Sequence, residues 1–354
     1  MEQPVLRLGL LGFETGHFQR LRDWAERPTP GWPQWQVGDP HQADAWLIDG
    51  EAVDVLGRDA LLIHQRQDGT RLSLHRADVD RPLAFAEPLP EGFASAEAFD
   101  AADEQSLRQR LQRFEAWLRP LRTQFALGGQ LVERMNSFRD DVVHLMHDGQ
   151  LLAVVDFPGW MCGLKVPARP VDLTNAQWVR RPGRANDIPG AFLKLGIQRV
   201  MWNYAVRTRR DILPERYRLQ RIHLRRVPRL PPRWFEPLHL RLMETLSMTP
   251  STLEELQETL GEGAEVLASH LAALFYAGGL TTDPESAQRA QSKVRQGILS
   301  LRIGDGRRRQ ESLGPSTGLS DQMAPSSLFR GVVPTPLRPV TDDVDTVAPP
   351  SGSC

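Results

Sequence analysis

Cysteine is almost missing from this sequence. Among 354 residues only Cys162 and Cys354 occur. That is too few for a disulfide framework, and a reducing compartment is the expectation. Long apolar runs are missing as well. No stretch approaches about 18 consecutive apolar residues, so no membrane-spanning helix is expected. The opening "MEQPVLRLGLLGFETG" carries too short an apolar run for a signal peptide. Net charge is nearly nil, since 43 Lys and Arg against 44 Asp and Glu leave -1. Catalytic signatures are lacking too. No GxSxG is present, no Lys-Ser/Thr completes a phosphate loop, and Cys162 has no neighbouring Cys. These absences predict a cytoplasmic, non-enzymatic protein that needs no cofactor.

What is present is an uneven distribution of charge. Residues 1–104 carry about ten more acids than bases, and residues 178–233 about twelve more bases than acids, nearly all Arg. Such asymmetry predicts either an anionic partner or docking of one part of the chain on another.

Apolar patterning predicts a small α/β unit at the N-terminus. "VLRLGLLGF" reads as a buried strand, and residues 14–26 as a helix with Phe18, Leu21, Trp24 and Ala25 on one side. "QWQVGD" reads as a second strand and "ADAWLIDGEAVD" as a third, which delivers Asp49 to a sheet edge. "QDG" between residues 61–65 and 71–75 signals a hairpin, and "RPLAFAEPLP" a last strand. Residues 97–134 form a long amphipathic helical stretch with Leu107, Leu111, Phe114, Leu118, Leu121 and Phe125 at helical spacing and a kink expected at Pro120. This connector also offers a face for a homodimer. Asp148-Gly149, between "VVHLMH" and "QLLAVVDF", is the strongest hairpin signal in the chain. Residues 188–207 read as a helix, and three further helices follow up to Gly278-Gly279. Beyond about residue 304 the chain is rich in Ser, Pro, Gly and Asp and is expected to be disordered.

"LRLGLLGF", the helix after it, "ADAWLIDGEAVD" and "LAFAEPLP" together resemble the first strand, first helix, acceptor strand and last strand of response-regulator receiver domains. The resemblance puts Asp49 at the phosphoacceptor position. It also implies an acidic pair after the first strand to hold a divalent cation, and a Lys before the last Pro to hold phosphoryl oxygens. Here Phe13-Glu14 supplies one acid, and Glu87 stands in the place of that Lys. Phosphotransfer to a carboxylate depends on neutralisation by metal and Lys, and a Glu reverses the sign of that help. The expectation is a degenerate, unphosphorylated receiver, or an unrelated small α/β unit.

Two weaker patterns have plain structural alternatives. Gly9, Gly12 and Gly16 lie between a strand and a helix, with Asp39 closing the second strand where a ribose-binding acid would lie. The spacing is not GxGxxG, and glycine also serves any tight strand–helix turn. His144 and His147 could share a metal on a helix. In a hairpin, a three-residue step puts their rings on opposite faces, so no metal is expected.

The basic segment is more specific. "WVRRPGR" holds Arg180, Arg181 and Arg184, "RTRRD" holds Arg207, Arg209 and Arg210, and "LRRVPRLPPR" adds Arg225, Arg226, Arg229 and Arg233. Arginine suits bidentate contacts to phosphate or carboxylate. Ion pairs with the acidic first part are the alternative. Residues 236–283 resemble a winged-helix domain. In such a domain the third helix would enter the major groove. Between Arg241 and Arg289 there is no Lys or Arg, and the third helix offers Glu265, Ser269, His270 and Tyr276. That is a poor DNA face and a reasonable protein-contact face.

The predicted architecture is α/β plus α. It comprises a receiver-like domain at 1–93, a helical connector at 94–135, a central basic α/β domain at 136–234, a winged-helix-like domain at 235–303 and a tail at 304–354. The predicted function is that of a bacterial signalling adaptor with a protein partner, whose Arg-rich region takes an anionic small ligand or partner. The alternatives are a DNA-binding transcriptional regulator with a pseudo-receiver domain and, second, a nucleotide-dependent enzyme using the Gly9–Gly16 loop.

Overall fold

Strands β1 (Val5–Leu11), β2 (Gln34–Val37) and β3 (Ala45–Asp49) pair in parallel, with helix α1 (Thr15–Glu26) between the first two. An antiparallel meander of β4 (Val53–Leu56), β5 (Ala60–His64) and β6 (Arg71–His75) follows. Then β7 (Leu83–Ala86) and β8 (Ala98–Phe99) complete the parallel sheet in the order β2-β1-β3-β7-β8. The computed structural model describes residues 2–56, 60–75, 79–181 and 188–288, which lie in one compact unit. Arg184 and the 304–354 tail fall outside the described residues.

The continuous apolar run of β3 is explained by burial on both faces. Ala45 and Leu47 join Leu6, Leu8, Leu21 and Phe114 in one core. Trp46 and Ile48 alternate to the other face, with Ile63, Leu74 and Phe85. Helices cover the first face and the meander covers the second.

The connector is two helices, α2 (Glu104–Trp117) and α3 (Arg119–Arg134). The break falls at Leu118, ahead of the expected kink at Pro120. In the first turn of α3, proline sits where its missing N–H removes no helical bond. Leu107, Leu111 and Phe114 of α2 enter the core of the first sheet, whereas Leu127 and Leu131 of α3 enter a second core. The apolar face proposed for pairing two copies is thus largely used inside one chain.

The second body contains an antiparallel sheet of β9 (Val142–His147), β10 (Gln150–Asp156), β11 (Met161–Lys165), β12 (Gln177–Arg181) and β13 (Phe192–Gly196), ordered β12-β9-β10-β11-β13. Asp148 and Gly149 form the β9–β10 turn with φ 48 and 70, the left-handed pair that a two-residue hairpin needs. Helix α4 (Pro170–Thr174) precedes β12. The helix expected over 188–207 is instead β13 followed by α5 (Ile197–Ala205). Phe192 and Leu195 are three residues apart and mimic a helical step, but pairing with β11 holds them in an edge strand.

The remaining elements are α6 (Arg216–Leu219), β14 (His223–Leu224), α7 (Pro237–Met248), α8 (Leu253–Leu260), α9 (Ala264–Tyr276), β15 (Leu280–Thr281) and α10 (Pro284–Gln288). A Thr252–Glu255 capping box opens α8 and Gly261, at φ 70, closes it. Strands β14 and β15 pair antiparallel. Leu131, Val155, Leu195, Val200, Leu242 and Leu271 belong to a single core, so the central sheet and the three helices are fused.

The approach of α3 to α5 depends on Gly128. A Cβ there would lie 2.7 Å from Tyr204 Cβ and 2.8 Å from the Val200 carbonyl oxygen. Gly128→Ala is therefore expected to lower stability by roughly 1–3 kcal/mol through overpacking. Gly16→Ala in α1, where nothing lies within 4 Å, is expected to be neutral or to stabilise by roughly 0.5–1 kcal/mol. Denaturant midpoints check both, and a neutral Gly128→Ala would contradict the packing described.

The two bodies are joined by charge. Arg207, at the end of α5, grips Asp44 with Nη1 to Oδ2 at 2.6 Å and Nη2 to Oδ1 at 2.7 Å. Both side chains are about nine-tenths buried. A second tie runs from Arg7 on β1 to Glu236 at the start of α7, at 2.5 Å. Glu236 also faces His270 Nε2 on α9 at 3.1 Å, while His270 Nδ1 faces the Val266 carbonyl oxygen at 2.8 Å. Both ring nitrogens thus meet acceptors, which requires the imidazolium. Burial, the largest influence, pulls the His270 pKa down, but the bonds to Glu236 and Val266 and the Glu236 charge raise it overall from 6.5.

A raised His pKa gives stabilisation that is full below the unfolded value near 6.5 and is lost as pH rises through the folded one. The stability advantage of the wild type over His270→Gln is thus expected to be greatest in mild acid and to shrink as pH rises through the raised pKa. The wild-type midpoint alone would not show it. The neighbouring His239, held neutral by burial with its pKa lowered to about 3, makes total stability fall in acid. An advantage over His270→Gln that grows with pH would refute the imidazolium assignment.

Candidate anion-binding cleft

Asp49 lies where the sequence puts it, at the carboxyl end of β3, and it is buried. Its Oδ1 accepts the Glu51 amide at 3.1 Å. Arg66, from the β5–β6 connection, reaches over the sheet edge to within 3.7 Å of Asp49 Oδ2. The same guanidinium bonds Glu14 at 2.8 Å and Glu51 at 3.3 Å. Three acids therefore share one fixed arginine. Beside them Gln65 Oε1 accepts the Gly12 amide at 3.0 Å, so the meander also occupies the glycine turn after β1. Burial, ahead of all other influences, raises the Asp49 pKa.

The predicted arginines do not converge. Arg180 pairs with Asp141 at 3.0 Å and lies over the Phe138 ring. Arg181 contacts His144 Nε2 at 3.2 Å. Arg207 is consumed by Asp44. Arg209 is exposed, and Arg210 pairs with Glu133 at 2.6 Å. Arg226 donates to the Gly278 carbonyl oxygen at 3.1 Å. Its pKa is lowered, first by burial and then by the charges of Arg225 and Arg229. Arg225 faces a substantial cavity.

That cavity is a cleft of about 670 Å³ at the junction of the α3 end, the β10–β11 turn and the helical module. Arg139, Arg216 and Arg225 line it, with Asn136, Asp140 and Trp160. Among the described residues no carboxylate lies within ion-pairing distance of the three guanidiniums. Arg216 lies over the ring of Phe275, 5.6 Å from its centroid. Tyr276 donates its hydroxyl to the Ile212 carbonyl oxygen at 3.1 Å, and burial first of all pushes its pKa up to about 12, so it stays neutral. Arg139 and Arg216 were not singled out in the sequence. Arg216 sits within the basic run, but Arg139 follows α3, and only the tertiary fold brings it to the other two.

Three further candidate groups among the described residues are held in structural contacts. Cys162 is fully buried and its thiol is pushed up to about 12 by burial, an inert state. His144 and His147 sit in the hairpin strand β9 as expected. Ligand atoms of Glu236, His239 and His270 do lie within 4.8 Å of one another. However, His239 Nδ1 accepts the Glu236 amide at 3.1 Å, so the proton of the neutral ring is on Nε2. Arg7 and His270 already neutralise Glu236. The geometry is that of an ion-pair network.

Acetyl phosphate with Mg²⁺ is expected to leave the intact mass unchanged. A gain of about 80 Da that vanishes in Asp49→Asn would show that Asp49 accepts phosphate despite Arg66. Because a raised carboxyl pKa means stability falls as pH climbs through it, Asp49→Asn is also expected to keep or raise the melting temperature at pH 7. Comparison of the chain with family models, with curated proteins and with solved structures finds no match, so the functional reading rests on this geometry.

Proposed function

We propose that this protein is a non-enzymatic adaptor of bacterial signalling, at work in the cytoplasm, which binds an anionic small molecule in the Arg139–Arg216–Arg225 cleft and acts on a protein partner. The observation that carries the reading is the set of three guanidiniums around one cavity, none of them within ion-pairing distance of a described carboxylate, with Asp140 the one acid on the lining. Most other arginines of the basic segment have internal acceptors. Arginine clusters left uncompensated in a concave site favour phosphate or carboxylate ligands.

Two further features support a regulatory protein. The parallel order β2-β1-β3-β7-β8 is the 2-1-3-4-5 order of flavodoxin-like sheets, in keeping with a receiver-like domain. The Arg66 contact with Asp49 favours a version that does not turn over phosphate. Helices α7 to α9 with the β14–β15 pair are in keeping with a winged-helix-like module. The exposed positions of α9 include Glu265, Val266 and Ser269, a set better suited to protein than to DNA, whose binding draws on Lys and Arg.

Titration with inorganic tripolyphosphate tests the cleft. The wild type is expected to bind with an affinity that falls as salt rises. The Arg216→Glu/Arg225→Glu variant is expected to lose binding, and Arg180→Glu/Arg210→Glu to retain it. Absence of binding, or loss in the second variant alone, would overturn the assignment. Tight duplex DNA binding that disappears on changing α9 would put the transcriptional-regulator reading first.

A further inference from the structure

We infer that the anion taken by the cleft is a purine nucleotide, with its base stacked on Trp160. The inference rests on the cleft being an anion site and adds the identity of the other half of the ligand. Trp160 is 46% exposed. Among the described residues its indole has neither a ring partner nor a cation over it. An unstacked indole on the wall of a cationic cleft offers a flat apolar face to an equally flat partner.

The backbone is built to put it there. Trp160 has φ 54, in the left-handed region that a bulky side chain rarely occupies. Its N–H donates to the Phe157 carbonyl oxygen at 3.2 Å, and its own carbonyl oxygen accepts the Ile197 amide at 3.0 Å. Gly159 before it lets the Asp156 carboxylate close over the turn, since a Cβ would come within 2.3 Å of Asp156 Oδ2 and displace that side chain. Strain of this kind persists where surrounding contacts impose it, and such residues concentrate at ligand sites.

The polar lining fits the same ligand. Phosphate alone would be served by Arg139, Arg216 and Arg225, yet the cleft also contains Asp140 and Asn136. A carboxylate repels phosphate. It accepts the N–H groups that a purine carries on its edge, and an Asn amide can both donate to and accept from the same edge. A ligand with an anionic end, a flat ring and N–H donors satisfies all three kinds of group. The 670 Å³ volume is within the range of pockets that enclose small molecules.

Binding of GTP, ATP and inorganic tripolyphosphate to the full chain separates the inference from the reading beneath it. At least one purine nucleotide is expected to bind about 10-fold or more tighter than tripolyphosphate, the size of a stacking contribution. Trp160→Ala should bring the nucleotide to the tripolyphosphate level without changing tripolyphosphate binding. Trp160→Phe should restore most of the difference, and matching melting temperatures would show that both variants fold. Equal affinity for nucleotide and tripolyphosphate in the wild type would overturn the nucleotide while leaving the anion site. A preference for nucleotide that survives in Trp160→Ala would overturn the stacking role. Failure of all three ligands to bind would remove the cleft itself.

Discussion

The Arg207–Asp44 pair is the contact on which the arrangement of this chain depends. It crosses from the end of α5 to the residue before β3, and its two short bonds are nearly out of water. Arg207 also donates to the Val5 carbonyl oxygen at 3.2 Å, and the Val5 amide donates back to the Arg207 carbonyl oxygen at 3.0 Å. Asp44 further accepts the Arg7 amide at 2.8 Å. A buried pair gives little net stability when intact, but removal of one partner costs roughly 3–5 kcal/mol because the other charge is left without solvent. The pair therefore acts mainly as a specificity device. The docking of the first sheet on α5 seen here satisfies both groups. The division of charge along the sequence thus has a partly internal explanation, with Glu2 and Arg210 (3.9 Å) at its margin.

The same use of arginine as a fixed cation governs the Asp49 edge. A phosphoacceptor carboxylate needs a mobile divalent cation and an approach path for the donor. Here Arg66 takes the cation's place among Glu14, Asp49 and Glu51, and it is tethered to the chain. Gly50 closes the floor of the edge, since a Cβ there would lie 2.3 Å from the Ala86 carbonyl oxygen. On the proposed receiver-like reading, the missing second acid, Glu87 in place of Lys and the bound Arg66 would be three consistent departures.

Legibility in the sequence followed the range of the interactions. Ala45, Trp46, Leu47 and Ile48 announced a strand because burial on both faces leaves no polar position. Asp148-Gly149 announced a hairpin because few residue pairs tolerate two left-handed φ values. The segment 192–196 was misread because Phe192 and Leu195 satisfy a helical step, and the pairing with β11 that overrides it comes from some thirty residues away. The sharing of the connector between cores was illegible for a related reason. Apolar periodicity says that a face is buried but not against what, so the division of α2 and α3 between two cores could not be seen. In the candidate site, Arg225 stood out by composition. Arg139 and Trp160 did not, because their meaning depends on a turn geometry and a helix end that meet only in the folded chain.

The cleft is conspicuous against this background of paired charge. Arg7, Arg66, Arg180, Arg207, Arg210 and Arg221 each have a carboxylate within 4 Å. Among the described residues Arg139, Arg216 and Arg225 have no carboxylate within ion-pairing distance although they line a single cavity, whose one acid is Asp140, and Arg225 and Arg229 add to burial in lowering the pKa of the adjacent Arg226. Like charges held together raise the energy of the empty state, and a bound anion relieves that cost. The cleft touches α3, the β10–β11 turn, α6 and the end of α9, elements that otherwise meet through one apolar core. On the proposed reading, neutralising the cleft would tighten their junction and so give a small anion a physical route to the exposed face of the helical module without a chemical step.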